Sequence, residues 1–302
     1  MSAHPDDRGQ RERVTVPRLA EMRLEATPIV MVTAYDFPSA QVAEEAGVDV
    51  VLVGDSAAMT VLGHDSTVPV SMDEMVILAA AVRRGLTTPL LVGDLPFGSY
   101  EASNEQAVES AQRFVKESGC DAVKLERGGG SVDRARAIVR AGIPVMGHVG
   151  LTPQTAAALG GFKAQGKTAD VAARIAEEAL ALQSVGCFSL VIAAVPAPIA
   201  EALVEQLDVP TIGIGAGPAT DGQVLVFHDL LGIHAGTPAK FVKRYGNVRD
   251  EMISGVREFA REVRNRSFPD AEHCYTVEQA ELDAFRAYLS AESLAARTPW
   301  DW

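Results

Sequence analysis

AGVDV (46–50), SGCDA (118–122), RAGIPV (140–145) and SVGCF (184–188) repeat one phrase. In each, a stretch of helical character runs into a glycine, and a short link then opens an apolar run. A glycine in that place predicts a left-handed helix cap, and the apolar run predicts the next buried strand. Working outward, the same format fills the chain. Short Val/Ile/Leu-rich segments predict strands at Ile29–Thr33, Asp49–Val53, Pro89–Val92, Ala122–Glu126, Pro144–Gly147, Ser189–Ile192, Pro210–Ile214 and Gln223–Val226. Between most of them lie amphipathic helical patterns, such as Asn104–Ser118, Val132–Ala141, Val171–Val185 and Pro198–Gln206.

Strands that are apolar throughout belong to a parallel sheet covered on both faces. Eight such units in sequence predict an α/β fold, the (β/α)8 barrel. A doubly wound open sheet is the alternative, but the first strand-to-helix turn lacks the GxGxxG of a dinucleotide fold. From Lys240 onward the character changes to a charged amphipathic helix, KFVKRYGNVRDEMISGVREFAREVRNRSFPDAEHCY, followed by a short extended tail. We expect one barrel domain at 15–275, with appendages at 1–14 and 276–302.

With 302 residues and 47% apolar content there is ample material for a core. A formal charge of −13 argues against a nucleic-acid partner. Cys120, Cys187 and Cys274 are widely spaced and form no CxxC, so neither a disulfide framework nor a zinc cluster is expected. MSAHPDDRGQRERV at the start has no apolar segment, and no apolar run approaches the roughly 20 residues that span a bilayer. The expectation is a cytoplasmic protein with no membrane partner.

In such a barrel the chemistry sits where the strands end. VLVGDS brings Asp55 and Ser56 there, and LLVGDLPF brings Asp94. One aspartate after a strand serves equally as a helix cap or turn residue. Two at equivalent ends of adjacent strands point at one mouth, where their repulsion is relieved by a hard divalent cation such as Mg²⁺. In DAVKLE, Lys124 and Glu126 share one strand face inside an apolar run. They form either a strand-end ion pair or a charged pair inside the barrel. His148, in VMGHVGLTPQ, is a core histidine or an acid/base group. GIGAGPATDGQ (213–223) makes a tight turn or an anion cradle, and GGFKAQGK (160–167) a solvated loop or a mobile lid.

TAYDFPSA (33–40), GDSAAMTVLGHDSTVPVSMDEM (54–75), GDLPFGSY (93–100), VKLE (123–126), GHVGLTPQ (147–154), GGFKAQGK (160–167), PTIGIGAGPATDGQVLVFHDLLG (210–232) and KFVKRY (240–245) together resemble the ketopantoate (3-methyl-2-oxobutanoate) hydroxymethyltransferase family. The likeness runs from about Val14 to Tyr275. It implies a barrel of the phosphoenolpyruvate mutase/isocitrate lyase-like group with a C-terminal helical extension, assembled as a homo-oligomer, typically a decamer. It also implies a step in pantothenate synthesis: transfer of a hydroxymethyl group from 5,10-methylenetetrahydrofolate, the co-substrate, to C3 of a 2-oxo acid. By resemblance, Asp55, Asp94 and Glu126 surround Mg²⁺, Ser56 and Lys124 touch the substrate, and Lys124 offsets charge on the enolate.

One departure stands out. Where the family usually reads LECVPA, with its Glu as general base, this chain reads LVIAAVP (190–196), which puts Ala193 and Ala194 at the Glu and Cys positions. GDSAAMT also replaces the more usual GDSLGMV, and Arg127 stands where Gly is common. Loss of a general base costs roughly 10²–10⁴ in rate. The resemblance then leaves three readings. The base role has moved, to His148 or a metal-bound hydroxide. Or the enolate arises by bond cleavage, as in an aldolase, C–C lyase or decarboxylase. Or the protein binds without catalysis.

Overall fold

The computed structural model of the chain describes residues 11–126, 130–158, 160–236 and 238–290. Its elements in order are α1 (Val16–Leu24), β1 (Ile29–Thr33), α2 (Phe37–Ala46), β2 (Val50–Val53), α3 (Ala57–Thr60), α4 (Met72–Arg84), β3 (Leu90–Asp94), α5 (Asn104–Arg113), β4 (Ala122–Glu126), α6 (Ser131–Arg140), β5 (Val145–Gly150), α7 (Ala169–Ser184), β6 (Ser189–Ala193), α8 (Ala197–Val204), β7 (Thr211–Ile214), β8 (Gly222–Leu225), α9 (Phe227–Leu231), α10 (Val248–Asn265) and α11 (Gln279–Ser290). The strands close into a parallel barrel in the order β1 to β8, with β8 back against β1. The expected (β/α)8 architecture is what the chain adopts.

The repeated phrase acts as expected. Gly47 and Gly119 are left-handed caps, at φ 74° and 73°. Gly142 and Gly186 take the same positive φ one residue beyond the cap. Helix starts are fixed by side chains: Asp36 and Ser71 close capping boxes on α2 and α4, and Ser103 and Thr168 cap α5 and α7.

Every residue of β2 through β6 is buried, because one face packs on helices and the other fills the barrel. The inner face is built from alternate positions: Ile29, Met31, Val50, Leu52, Leu90, Val92, Met146, Val191, Ile212 and Val224 form one cluster. Leu19 and Met22 of α1 join it where the strands begin. The outer wall is thinner at β8 and β1, where Val30 is 50% exposed, since no helix intervenes between β7 and β8. The GIGAGPATDGQ segment is therefore a tight return. Gly215 and Gly217 take positive φ, and the Gln223 side chain braces the turn through Gly217 O and Thr220 Oγ1.

The aspartate in two of the repeated phrases has its own task. Asp49 accepts the N–H of Val30 and Asp121 that of Leu91, each at the start of the preceding strand, and each also meets an arginine. Asp221 does the same for Thr211, with Arg23. β3 and β5 extend further than the sequence suggested, to Asp94 and Gly150, because their polar residues face inward while the backbone stays paired.

Cys120 and Cys187 are buried and Cys274 is exposed; burial pushes the first two thiols up to about 12, which suits inert packing groups. Contacts divide the chain into two compact units after Asn247. The expected barrel domain of 15–275 spans that division, because α10 begins the second unit and has no buried residue. The appendage expected from 276 contains α11. Among the described residues no helix is long and apolar enough to cross a membrane.

Candidate active site

At the mouth, the inward alternation that carries the apolar core turns polar. Lys124 and Glu126 follow Ala122 on the inner face of β4, His148 follows Met146 on β5, and Asp94 follows Val92 on β3. Asp55 lies two residues past the end of β2. The glycine before each aspartate has a separate steric cause. A Cβ on Gly93 would sit 2.5 Å from the Phe114 ring, and one on Gly54 would sit 2.8 Å from Ser56 Oγ.

The five expected side chains converge. Asp55, Asp94, Lys124, Glu126 and His148 are all buried, none more than 6% exposed. Lys124 Nζ lies 2.8 Å from Asp94 Oδ1, 3.2 Å from His148 Nδ1 and 3.9 Å from Glu126 Oε1. Glu126 Oε1 is 3.2 Å from His148 Nδ1, and Oε2 accepts the backbone N–H of Gln154 at 3.1 Å. Asp94 Oδ2 accepts the N–H of Asp55 at 3.1 Å. The sequence alternative of a surface ion pair for Lys124 and Glu126 is thereby excluded.

Three carboxylates share one ammonium. Burial, followed by the charges of Asp94 and Glu126, pushes the Asp55 carboxyl well above the ordinary carboxylate range. Burial also raises Asp94, against the pull of Lys124. For Glu126 burial acts upward too, but His148 and Lys124 outweigh it and hold the carboxyl below its ordinary value. Lys124 is raised: burial opposes its charge, and Asp94, Glu126 and Asp55 outweigh burial.

The donor set fits a hard divalent cation, but with a division of labour. Asp94 Oδ1 is buried, and its polar neighbour is the Lys124 ammonium at 2.8 Å. Asp55 and Asp94 together suffice for Mg²⁺, which takes one or two carboxylates and fills the rest of its shell with water and substrate oxygens. Glu126 is engaged at both oxygens by protein groups. Among the described residues no group of three or more His, Cys, Asp or Glu side chains is arranged to hold a metal ion by itself.

Ser56 sits at the rim, its Oγ 2.8 Å from the hydroxyl of Tyr35, which burial pushes up to about 12. His148 Nε2 is buried without a partner. Lys163 and Lys167 of the GGFKAQGK loop are exposed, and the loop is tied to the end of β6 by Gln165 N–H donating to Ala194 O at 2.9 Å. Ala193 is the last residue of β6, on the same inner face as Val191, and pairs with Gly150. Arg127 lies outside the described residues. Three polar residues of the network, Tyr35, Tyr100 and Gln154, lie within TAYDFPSA, GDLPFGSY and GHVGLTPQ without having been singled out there. Their signal was a large polar side chain just past a strand end.

The ketopantoate hydroxymethyltransferase family model matches residues 13–271. The chain is 54% identical to the rice (Oryza sativa subsp. japonica) mitochondrial 3-methyl-2-oxobutanoate hydroxymethyltransferase 1, covering 93% of this chain and 79% of that one. It is 52% identical to the Moorella thermoacetica 3-methyl-2-oxobutanoate hydroxymethyltransferase, covering 88% and 99%. Among solved structures, phosphonopyruvate hydrolase with oxalate and Mg²⁺ superposes with a TM-score of 0.57 at 14% identity, over 94% of this chain and 100% of that one. 2,3-Dimethylmalate lyase, a PEP mutase/isocitrate lyase superfamily member, superposes with 0.54 at 16%, over 91% and 98%. At such identities these two define the fold alone.

Proposed function

The chain belongs to the ketopantoate hydroxymethyltransferase family, and on that premise we propose that it transfers a hydroxymethyl group to C3 of 3-methyl-2-oxobutanoate or a close 2-oxo acid, as a step of pantothenate synthesis. The observation that carries the reading is the buried cluster of Asp55, Asp94, Lys124, Glu126 and His148, with more carboxylates than cations. A divalent cation of the Mg²⁺ class, held by Asp55 and Asp94, would polarise the keto group as a Lewis acid. Lys124 Nζ offsets the negative charge that gathers on the substrate oxygens. Ser56 Oγ, held by Tyr35, contacts the acid at the rim.

His148 is the proton acceptor in this reading. Its Nδ1 lies 3.2 Å from both Glu126 Oε1 and Lys124 Nζ, and the role requires the tautomer whose Nδ1–H faces Glu126, which leaves the lone pair on the unpartnered Nε2. In the opposite tautomer Nδ1 accepts from the Lys124 ammonium and Nε2 carries the proton, so the proton-accepting role needs the Glu126-facing form in the substrate complex. Nε2 takes the C3 proton, the C–H electron pair becomes the C2–C3 double bond, and negative charge moves to the keto oxygen. C3 then bonds to the one-carbon unit. With 5,10-methylenetetrahydrofolate as donor, its methylene carbon and one water supply the hydroxymethyl group. The C3 proton and the remaining water proton end on the two nitrogens of the released tetrahydrofolate.

A second reading has an observation of its own. Ala193 places a methyl at the last inner position of β6, where the resemblance puts a general-base Glu. An aldolase, C–C lyase or decarboxylase makes its enolate by bond cleavage and needs no base there. One experiment separates the readings: incubation with Mg²⁺ and 3-methyl-2-oxobutanoate in D₂O, following the C3 proton by NMR. Exchange that disappears in His148→Gln supports the transferase reading. No exchange, with turnover of another 2-oxo acid, supports the second. No exchange and no turnover across a panel of 2-oxo acids leaves a binding protein.

Self-association belongs to the same proposal. α10 exposes Met252, Val256, Phe259 and Val263 at helical spacing, and a groove of about 750 Å³ lies beside β1 and the β7–β8 return, away from the carboxylate cluster. Each is apolar surface that an assembly of copies would bury. Sedimentation should find a homo-oligomer, with a decamer as the expected size; a monomer at micromolar concentration would refute this part.

A further inference from the structure

Gln154 lies in the single 3₁₀ turn Pro153–Thr155 that follows β5, and its side chain is 5% exposed. Its Nε2 donates to Asp55 Oδ2 at 3.0 Å and to the carbonyl of Leu95 at 2.9 Å. Its Oε1 accepts from the hydroxyl of Tyr100 at 2.6 Å, and its backbone N–H donates to Glu126 Oε2. One residue thus ties together the ends of β2, β3 and β4, all within the buried mouth.

The two ends of an amide have the same shape, so only the partners decide which way it points. Turned over, Gln154 would present its oxygen to a carboxylate and a carbonyl, two acceptors facing a third. Tyr100, itself 1% exposed, supplies the donor that fixes the orientation at the other end. The chain of bonds runs in one sense: hydroxyl to amide oxygen, amide nitrogen to carboxylate.

We propose that Gln154 is a positioning residue, oriented by Tyr100, which holds the Asp55 carboxylate in the place where it receives a divalent cation. The inference rests on Asp55 as a cation ligand. It makes Tyr100 and Gln154 outer partners of the site, neither of which touches the reacting atoms. Outer partners of this kind typically govern about 10–100-fold in metal affinity.

The test uses the full chain with Mn²⁺ as probe, read by electron paramagnetic resonance without substrate, together with crystal structures and thermal midpoints of Gln154→Met and Tyr100→Phe. Gln154→Met keeps the backbone N–H to Glu126 and much of the volume, so it removes the amide alone. Mn²⁺ affinity should fall about 10–100-fold in Gln154→Met and about 3–10-fold in Tyr100→Phe, with Asp55 rotated away in the crystal. A merely structural role would lower the thermal midpoint and leave the affinity of the folded protein unchanged. Affinity within about twofold of the parent, with Asp55 unmoved, would overturn the proposal. If the parent takes up no Mn²⁺, the cation reading fails by itself; the position of Asp55 in the variant crystals then decides whether Gln154 positions it. Should Gln154→Met not fold, Tyr100→Phe carries the same comparison.

Discussion

Aspartates stand at both ends of this barrel, and the two ends treat them in opposite ways. Where the strands begin, Asp49, Asp121 and Asp221 each accept a neighbouring strand's N–H and meet at least one arginine: Arg11 for Asp49, Arg13 and Arg83 for Asp121, Arg23 for Asp221. Charge and hydrogen bonding are balanced, and none of these carboxylates is fully buried. Where the strands end, Asp55, Asp94 and Glu126 share Lys124 at 3% exposure or less. The first arrangement locks strand register. The second holds unbalanced charge that a cation and a substrate can relieve, at a cost in stability. The same residue type is structural at one end and reactive at the other because of what the fold places opposite it.

The comparison can be broken from either side. The largest effect should come from Asp94→Ala: C3 exchange and turnover should drop by at least about 100-fold, while the thermal midpoint holds or rises, since one of three crowded carboxylates is gone. A lowered midpoint with retained exchange would reverse the roles of the two ends. Ala193→Glu sharpens the reactive end. It should raise C3 exchange about tenfold or more, within the roughly 10²–10⁴ that a positioned base supplies. An unchanged rate would show that the mouth has been rebuilt beyond that residue. At the opposite end, Asp121→Ala strands the N–H of the buried Leu91 and should cost about 1–3 kcal/mol in chemical denaturation, with exchange per folded molecule unchanged. The smallest effect belongs to Arg261→Ala on α10. Its pair with Glu258 is exposed, and neither midpoint nor exchange should move; a clear shift would mean that this surface is covered in the working assembly.

The polar positions were unevenly legible. Asp55 and Asp94 announced themselves because the same Gly-Asp pair closes two strands, and Lys124 with Glu126 because charge inside an apolar run is costly. Asp49 and Asp121 were visible as letters of a repeated phrase, but their task was not. Their backbone partners lie 19 and 30 residues away, across a strand pairing that local pattern does not specify. Gln154 was harder still, since it meets Asp55 across 99 residues and sits in a turn where glutamine is unremarkable. The helix-free return from β7 to β8 also had to be seen, because a glycine-rich segment serves a turn and an anion cradle equally well.

Apolar runs and glycine-ended helices determined by themselves that the chain is a parallel α/β fold, because burial on both strand faces and left-handed caps are local demands written residue by residue; the pairing of β8 with β1 that closes the barrel belongs to the tertiary structure. The resemblance of the motifs supplied the family. Only tertiary structure decided which carboxylates are balanced and which are not, that Glu126 faces His148 and Gln154, and that an amide from β5's turn grips a carboxylate from β2. Charge balance and hydrogen-bond direction depend on distances between strand ends, and those distances exist only once the barrel has closed.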